Sequence, residues 1–277
     1  MERILFLRVE ALGCEVEAVL NGMPVVRLDA RGQTSPRMAC IPVHEYTLAG
    51  GNRLGAVINP PPISQADPAP GQPAPPPLPN VADGHTWVKL RLLLPRQNQP
   101  ASENSARTLG QLDWGLAENE LFETPLALQQ VVELPVTFPR WRWLDAPVVE
   151  HPDVLKPQVL AHLQRLAVDL TRGDPESFIA AARLRFEELA LAYQRQPADE
   201  TARFREHLQQ LAAAKALRVN PPRPAELVLR RVADGRLLEC LSADGRPAPR
   251  TVASEGGVSH AWPLRLAVVE GKFYVLR

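Results

Sequence analysis

The final fifty residues hold three short apolar runs broken at Asp234-Gly235, Asp244-Gly245 and Glu270-Gly271, and three long segments of helical periodicity precede them. An acidic residue followed by Gly between alternating apolar stretches is a strong hairpin signal, because Gly and Asp tolerate the positive φ that a primed turn needs. Residues 227–232, 236–241, 264–269 and 273–276 are therefore expected to form an antiparallel meander. A sheet with one apolar face must be covered, and the segments just before it supply the cover, so this half is expected to be an α+β layer arrangement.

Those segments carry their own boundary signals. From Val154 to Leu170 the apolar residues Leu155, Val159, Leu160, Leu163, Leu166, Ala167 and Leu170 share one helical face, and Gly173 ends the run. Asp174-Pro175-Glu176 supplies an N-cap side chain, a proline at the first helical position and an acidic residue at the positive helix end, predicting a second helix to about Gln194. A third is expected from Pro197 to about Leu217, with Phe204, Leu208, Leu211 and Ala212 on its apolar face.

The first half reads differently. Asn21-Gly22 between residues 14–20 and 25–28 marks a hairpin. Further strand signals lie at residues 40–48, 53–58, 85–94 and 131–138, while residues 60–80 are Pro-rich and are expected to be an exposed, extended loop. Short strands with long connections predict an all-β sandwich. The expected organisation is thus two domains, a β-sandwich over residues 1–150 with the Pro-rich loop at 60–80, and an α+β domain over residues 151–277.

Charge excludes some function classes. With 31 basic and 31 acidic residues the formal net charge is zero, so no global field draws the chain to nucleic acid or to an anionic membrane. Residues 1–150 carry 12 basic and 16 acidic residues, a net of −4, and residues 151–277 carry 19 and 15, a net of +4. Only four basic residues are Lys, which with high Ala, Leu and Pro points to a GC-rich bacterial genome. The opening segment, with an apolar run of four residues before Arg8, lacks the form of a signal peptide, no stretch is apolar for 18 residues, and Cys14, Cys40 and Cys240 have no metal or redox spacing. The expectation is a cytoplasmic protein with buried free thiols.

Two resemblances follow from these patterns. Asn21-Gly22 with Val25, then Val43-His44-Glu45-Tyr46, then Gly51-Asn52-Arg53-Leu54 resembles the jelly-roll accessory modules of bacterial carbohydrate enzymes. Three helices, Pro222 and Pro224, then a meander closing on Gly271-Lys272-Phe273-Tyr274-Val275 resembles the cone-shaped NTF2-like superfamily. That resemblance implies a concave sheet closed by helices, a pocket near which Tyr193, His260, Trp262 and Tyr274 fall, and a homodimer through paired sheets. Members include isomerases and dehydratases, and others act as binding modules.

Motifs for chemistry are missing. His44-Glu45 has no second His four residues on, the six histidines form no local pairs, and Gly50 to Gly55 is followed by Ala56-Val57 where a phosphate-binding loop needs Lys and a hydroxyl. No metal and no cofactor is therefore expected. Two clusters suit a protein surface: acidic Glu118, Glu120 and Glu123 beside Trp114, and alternating Arg140, Trp141, Arg142 and Trp143, read as a strand with indoles on one face and guanidiniums on the other. The general look is similar to the immunity proteins of type VI secretion toxins. It implies a non-enzymatic module that binds one cognate protein partner, such as a nuclease, without touching nucleic acid or membrane. The alternatives are a small-molecule enzyme or carrier using the cone pocket, and a carbohydrate-binding accessory protein.

Overall fold

The computed structural model describes residues 4–60, 80–82, 84–96, 99, 101–102, 104–135, 137–252 and 259–277. Most of the Pro-rich segment expected at 60–80 lies outside the described residues. The chain is mixed α+β, with four α-helices and several antiparallel sheets among the described residues. It forms two compact units, Met1–Phe138 and Pro139–Arg277.

Unit 1 contains strands β1 (Phe6–Leu12), β2 (Glu15–Leu20), β3 (Met23–Asp29), β4 (Arg37–Pro42), β5 (Gly50–Asn59), β6 (Asn80–Val81), β7 (Trp87–Pro95), β8 (Ala106–Gly115), β9 (Leu121–Phe122) and β10 (Leu126–Leu134). One four-stranded sheet runs β4-β1-β7-β8, and another runs β10-β5-β2-β3. Alternating side chains explain why the sheets cohere. Leu7, Val9 and Ala11 of β1 and Val88, Leu90 and Leu92 of β7 share one core with Val16, Ala18 and Leu20 of β2 and Leu54, Ala56 and Ile58 of β5. Asn21 (φ 54°) and Gly22 (φ 76°) turn the chain between β2 and β3 as the dipeptide predicts.

The three segments behind the jelly-roll resemblance meet in one buried polar network. Asn21 is 2% exposed and Asn52 is fully buried. Asn21 Nδ2 donates to Tyr46 O and to Asn52 Oδ1, both at 2.8 Å, while Asn21 Oδ1 accepts the Arg53 N–H at 2.9 Å. Asn52 in turn donates to the Leu48 and Gly50 carbonyls and accepts the Leu48 N–H. Every donor and acceptor of the pair is used, as burial demands.

Unit 2 begins with an irregular strap over residues 139–151 and continues with helices α1 (Pro152–Thr171), α2 (Glu176–Ala181), α3 (Arg183–Ala192) and α4 (Pro197–Ala213). Strands β11 (Val219–Asn220), β12 (Leu227–Val232), β13 (Leu237–Ser242), β14 (Arg250–Thr251), β15 (Arg265–Val269) and β16 (Lys272–Val275) follow. The expected meander is present as the sheet β12-β13-β15-β16, and β14 leaves it to pair with β11. Positive φ at Asp234, Gly235, Glu270 and Gly271 makes two of its turns. The expected second helix is broken at Ala182 (φ −99°, ψ 11°) into α2 and α3. Residues eight apart on a straight helix point about 80° apart. The break lets Phe178 and Phe186 both reach Phe204 of α4, with ring centroids 4.6 and 5.8 Å away. Helix α4 stops at Ala213, short of the expected Leu217, where Lys215 turns left-handed (φ 54°) and the Ala216 N–H reaches back to Leu211 O.

One face of the meander, with Leu227, Cys240, Leu266 and Val275, packs into the helical core with Val159, Leu163, Leu166 and Leu170 of α1. The opposite face carries a charged row in register across three strands, Arg230 on β12, Glu239 on β13 and Arg265 on β15. Arg265 donates to Glu239 Oε1 at 3.1 Å, and Arg230 donates to Glu239 Oε2 through Nε at 2.8 Å. Glu239 is 5% exposed and Arg265 7%. Removing the one anion from such a row strands a desolvated cation. Glu239→Ala is expected to cost about 3–5 kcal/mol, read by urea unfolding; a loss below about 1 kcal/mol would mean that solvent screens the row.

On α1, His162 lies against Phe273 of β16 at 5.6 Å, its Nδ1 faces Arg165 Nη2 at 3.2 Å, and its buried Nε2 has no partner among the described residues. Burial first, and the Arg165 charge second, hold its pKa below the usual 6.5. The folded state then binds fewer protons than the unfolded chain, so stability falls as pH drops through about 6.5 and levels off below the folded pKa. His162→Phe is expected to flatten the urea-unfolding profile between pH 7.5 and 5; an unchanged slope would exclude His162 as the titrating group.

Candidate protein-binding surface

The acidic residues singled out by sequence sit on a small ribbon of unit 1. Strand β9 pairs with β6, Ala82 donates to Glu120 O at 2.8 Å, and Asn119 (φ 66°) donates to Ala82 O at 2.9 Å. Gly84 (φ 71°) permits this approach, since a Cβ there would stand 3.2 Å from the Glu118 nitrogen. Glu118, Glu120 and Glu123 face solvent, as does Leu121, 65% exposed. Among the described residues none of the three carboxylates has an ion-pair partner, and Glu120 only accepts the Ala117 N–H. Trp114 is half-buried against the sheet core, so only part of its indole is available to a partner.

The Arg-Trp cluster is arranged otherwise than expected. Residues 140–143 are not a strand: Arg140 lies outside any regular element, Trp141 is extended (φ −75°, ψ 140°) and Arg142–Asp145 is a single 3-10 turn. Trp141 is fully buried and Trp143 is 2% exposed, which removes both indoles from any surface. Glu188 of α3, 4% exposed, explains the placement. Its Oε1 accepts the Arg142 N–H at 2.6 Å and its Oε2 accepts from Arg277 Nη1 at 2.5 Å, while the Arg277 guanidinium lies over the Trp141 ring at 5.4 Å. The strap is further pinned by Val149 N–H to Gly235 O and by Arg236 Nη1 to Ala146 O. Arg140 and Arg142 remain exposed. Arg140 grips Asp145, whose carboxyl is thereby held below its ordinary pKa, and Arg142 pairs with Glu187 at 2.7 Å.

The four residues expected around a cone pocket do not converge. Trp262 is 7% exposed in the helical core beside Phe178 and Phe204, and His260 sits against His207 of α4 with ring centroids 5.7 Å apart. Tyr274 lies on the opposite sheet face and lines a cleft with Ala267 and Leu276, whereas the Tyr193 ring stacks under Arg195. Adjacent residues of a strand point to opposite faces, which is why Tyr274 cannot join its neighbours Phe273 and Val275 in the helical core. Glu188 and Arg277 were invisible to sequence reading: a glutamate in a Glu187-Glu188 pair and an arginine after an apolar strand carry no mark of burial.

Chemical groups are few. No cluster of three or more His, Cys, Asp or Glu suited to a metal exists among the described residues, and no helix among them is long and apolar enough to cross a membrane. Cys14 and Cys240 are buried, but Cys40, expected to be buried, is exposed on edge strand β4. Desolvation pushes the Cys14 thiol up to about 12 and raises that of Cys240 as well. Comparison of the chain with known protein families, curated proteins and solved structures gives no match. In the native protein a disulfide reagent at pH 8 is expected to titrate Cys40 alone, with Cys14 and Cys240 reacting only after denaturation; two fast thiols would contradict the burial of the other pair.

Proposed function

We propose that the chain is a protein-binding module, without chemistry of its own, that docks one basic partner through the ribbon at Glu118, Glu120 and Glu123. The observation that carries this reading is the set of three solvent-facing carboxylates, without an ion-pair partner among the described residues, close in sequence to the exposed Leu121. Holding like charges together costs stability, and a cationic partner surface recovers that cost while speeding association. An apolar side chain at the centre of a charged rim is the usual composition of a contact patch. A toxin with a basic, nucleic-acid-binding cleft has the complementary charge, so the role is that of a cytoplasmic immunity protein, similar to those paired with type VI secretion effectors. In this reading unit 1 is a jelly-roll-like sandwich that presents the ribbon. Unit 2 is an NTF2-like domain, a reading supported by the order of helices followed by the β12-β13-β15-β16 meander.

The direct test is co-expression with the toxin encoded beside it, scored by growth and by co-purification. Rescue and a stoichiometric complex are expected. The combined change Glu118→Lys, Glu120→Lys and Glu123→Lys is expected to slow association at least about tenfold and to leave unfolding stability within about 0.5 kcal/mol per site of wild type. Binding that survives the triple reversal would place the contact elsewhere, and absence of any rescue would defeat the immunity reading.

A further inference from the structure

We infer that unit 2 holds a binding site for a small amphipathic carboxylate, in the cleft between the strap, α3 and the sheet face opposite the helical core. The cleft has a volume of about 310 Å³ and an apolar floor of Leu184, Ala267 and Leu276, with Ala146 and Val269 at its sides. It sits at the lower end of the size range of ligand clefts, and at roughly 30 Å³ per small group it accommodates about ten heavy atoms.

Two polar groups give the cleft its chemistry. Arg142 spends one guanidinium nitrogen, Nη1, on Glu187 and on Leu184 O, and among the described residues its Nε and Nη2 have no partner. That free edge presents two parallel N–H donors, the arrangement that matches both oxygens of a carboxylate. Tyr274, whose phenol can donate one hydrogen bond, also lines the cleft. Asp145 is the one anion in the lining, and Arg140 already engages it at 2.6 Å. A cation with an open bidentate edge, a phenolic side chain in the lining and an aliphatic floor together select an anion with a short hydrocarbon body. A neutral molecule would leave the Arg142 edge unused, and a long lipid would not fit the volume. The site is independent of the acidic ribbon, which lies in the other unit.

The test is a titration of the full chain with sodium octanoate, followed by amide chemical shifts, with 1-octanol as the neutral comparator. Octanoate is expected to give saturable shifts at Arg142, Leu184, Ala267 and Tyr274, while octanol binds at least about tenfold more weakly for want of the charge-assisted pair. Arg142→Met is expected to reduce octanoate affinity by about tenfold, and Tyr274→Phe by about threefold through loss of one hydrogen bond. The inference is overturned if octanol matches octanoate, if the shifts fall instead at the aromatic cleft of Phe204 and Trp262, or if no saturation occurs. Should Arg142→Met unfold, the wild-type comparison of the two ligands and the Tyr274→Phe variant still decide the matter.

Discussion

The carboxylate of Glu188 is the contact on which the order of unit 2 depends. It accepts the Arg142 N–H with one oxygen and the Arg277 guanidinium with the other, at 4% exposure. A buried carboxylate without such partners would be costly, and with them it fixes three otherwise separate pieces, the strap, α3 and the segment that follows β16. Because the Arg142 backbone is held there, Trp141 lies beneath Arg277 and Trp143 turns inward. The same contact leaves the Arg142 side chain at the surface, where it borders the cleft above the sheet. One charge pair thus decides which residues of the Arg-Trp cluster pack and which meet solvent.

Unit 1 is organised by an uncharged counterpart. Asn21 and Asn52 exchange a hydrogen bond and satisfy five backbone groups between Tyr46 and Arg53. The neutral pair avoids the desolvation cost of ions, and its several directional bonds leave little freedom of register. The residues that gave the jelly-roll resemblance therefore serve a structural purpose in this chain. No ligand contact is needed to account for them. The ribbon at β9 contrasts with these turns, since its exposed carboxylates Glu118, Glu120 and Glu123 make no ion pair among the described residues.

Turns and periodic helices were legible because their causes are local. Asn21-Gly22, Asp234-Gly235 and Glu270-Gly271 adopt the positive φ that their side chains allow, and Asp174 Oδ1 accepts the Glu176 N–H at 2.9 Å to start α2. The apolar stripe of α1, from Val159 to Leu170, is buried as its spacing requires. Failures occurred where a distant residue outweighed the local pattern. The break at Ala182 answers to Phe204, more than twenty positions along the chain, and the strand expected at Arg140 to Trp143 is replaced by a turn held by Glu188. Of the candidate site, the acidic ribbon was readable as composition, whereas the exposure of Leu121 depended on the pairing of β9 with β6.

By itself the sequence determined the general pattern, short strands in the first half and helices then a meander in the second, with several of the turns, since φ preferences and amphipathic periods act over a few residues. It pointed to no strand at β8, and where a strand was expected over 40–48 the chain leaves β4 at Pro42 for a 3-10 turn at His44–Tyr46. Tertiary structure decided which polar residues are buried, as with Glu188, Glu239, Asn21 and Asn52, and which aromatic residues remain at a surface. Burial is a property of what packs from elsewhere in the chain, so one-dimensional pattern cannot distinguish the solvated Glu187 from the enclosed Glu188. Two neighbours on one helix receive opposite environments because α3 turns one towards Arg183 and the other towards Arg277.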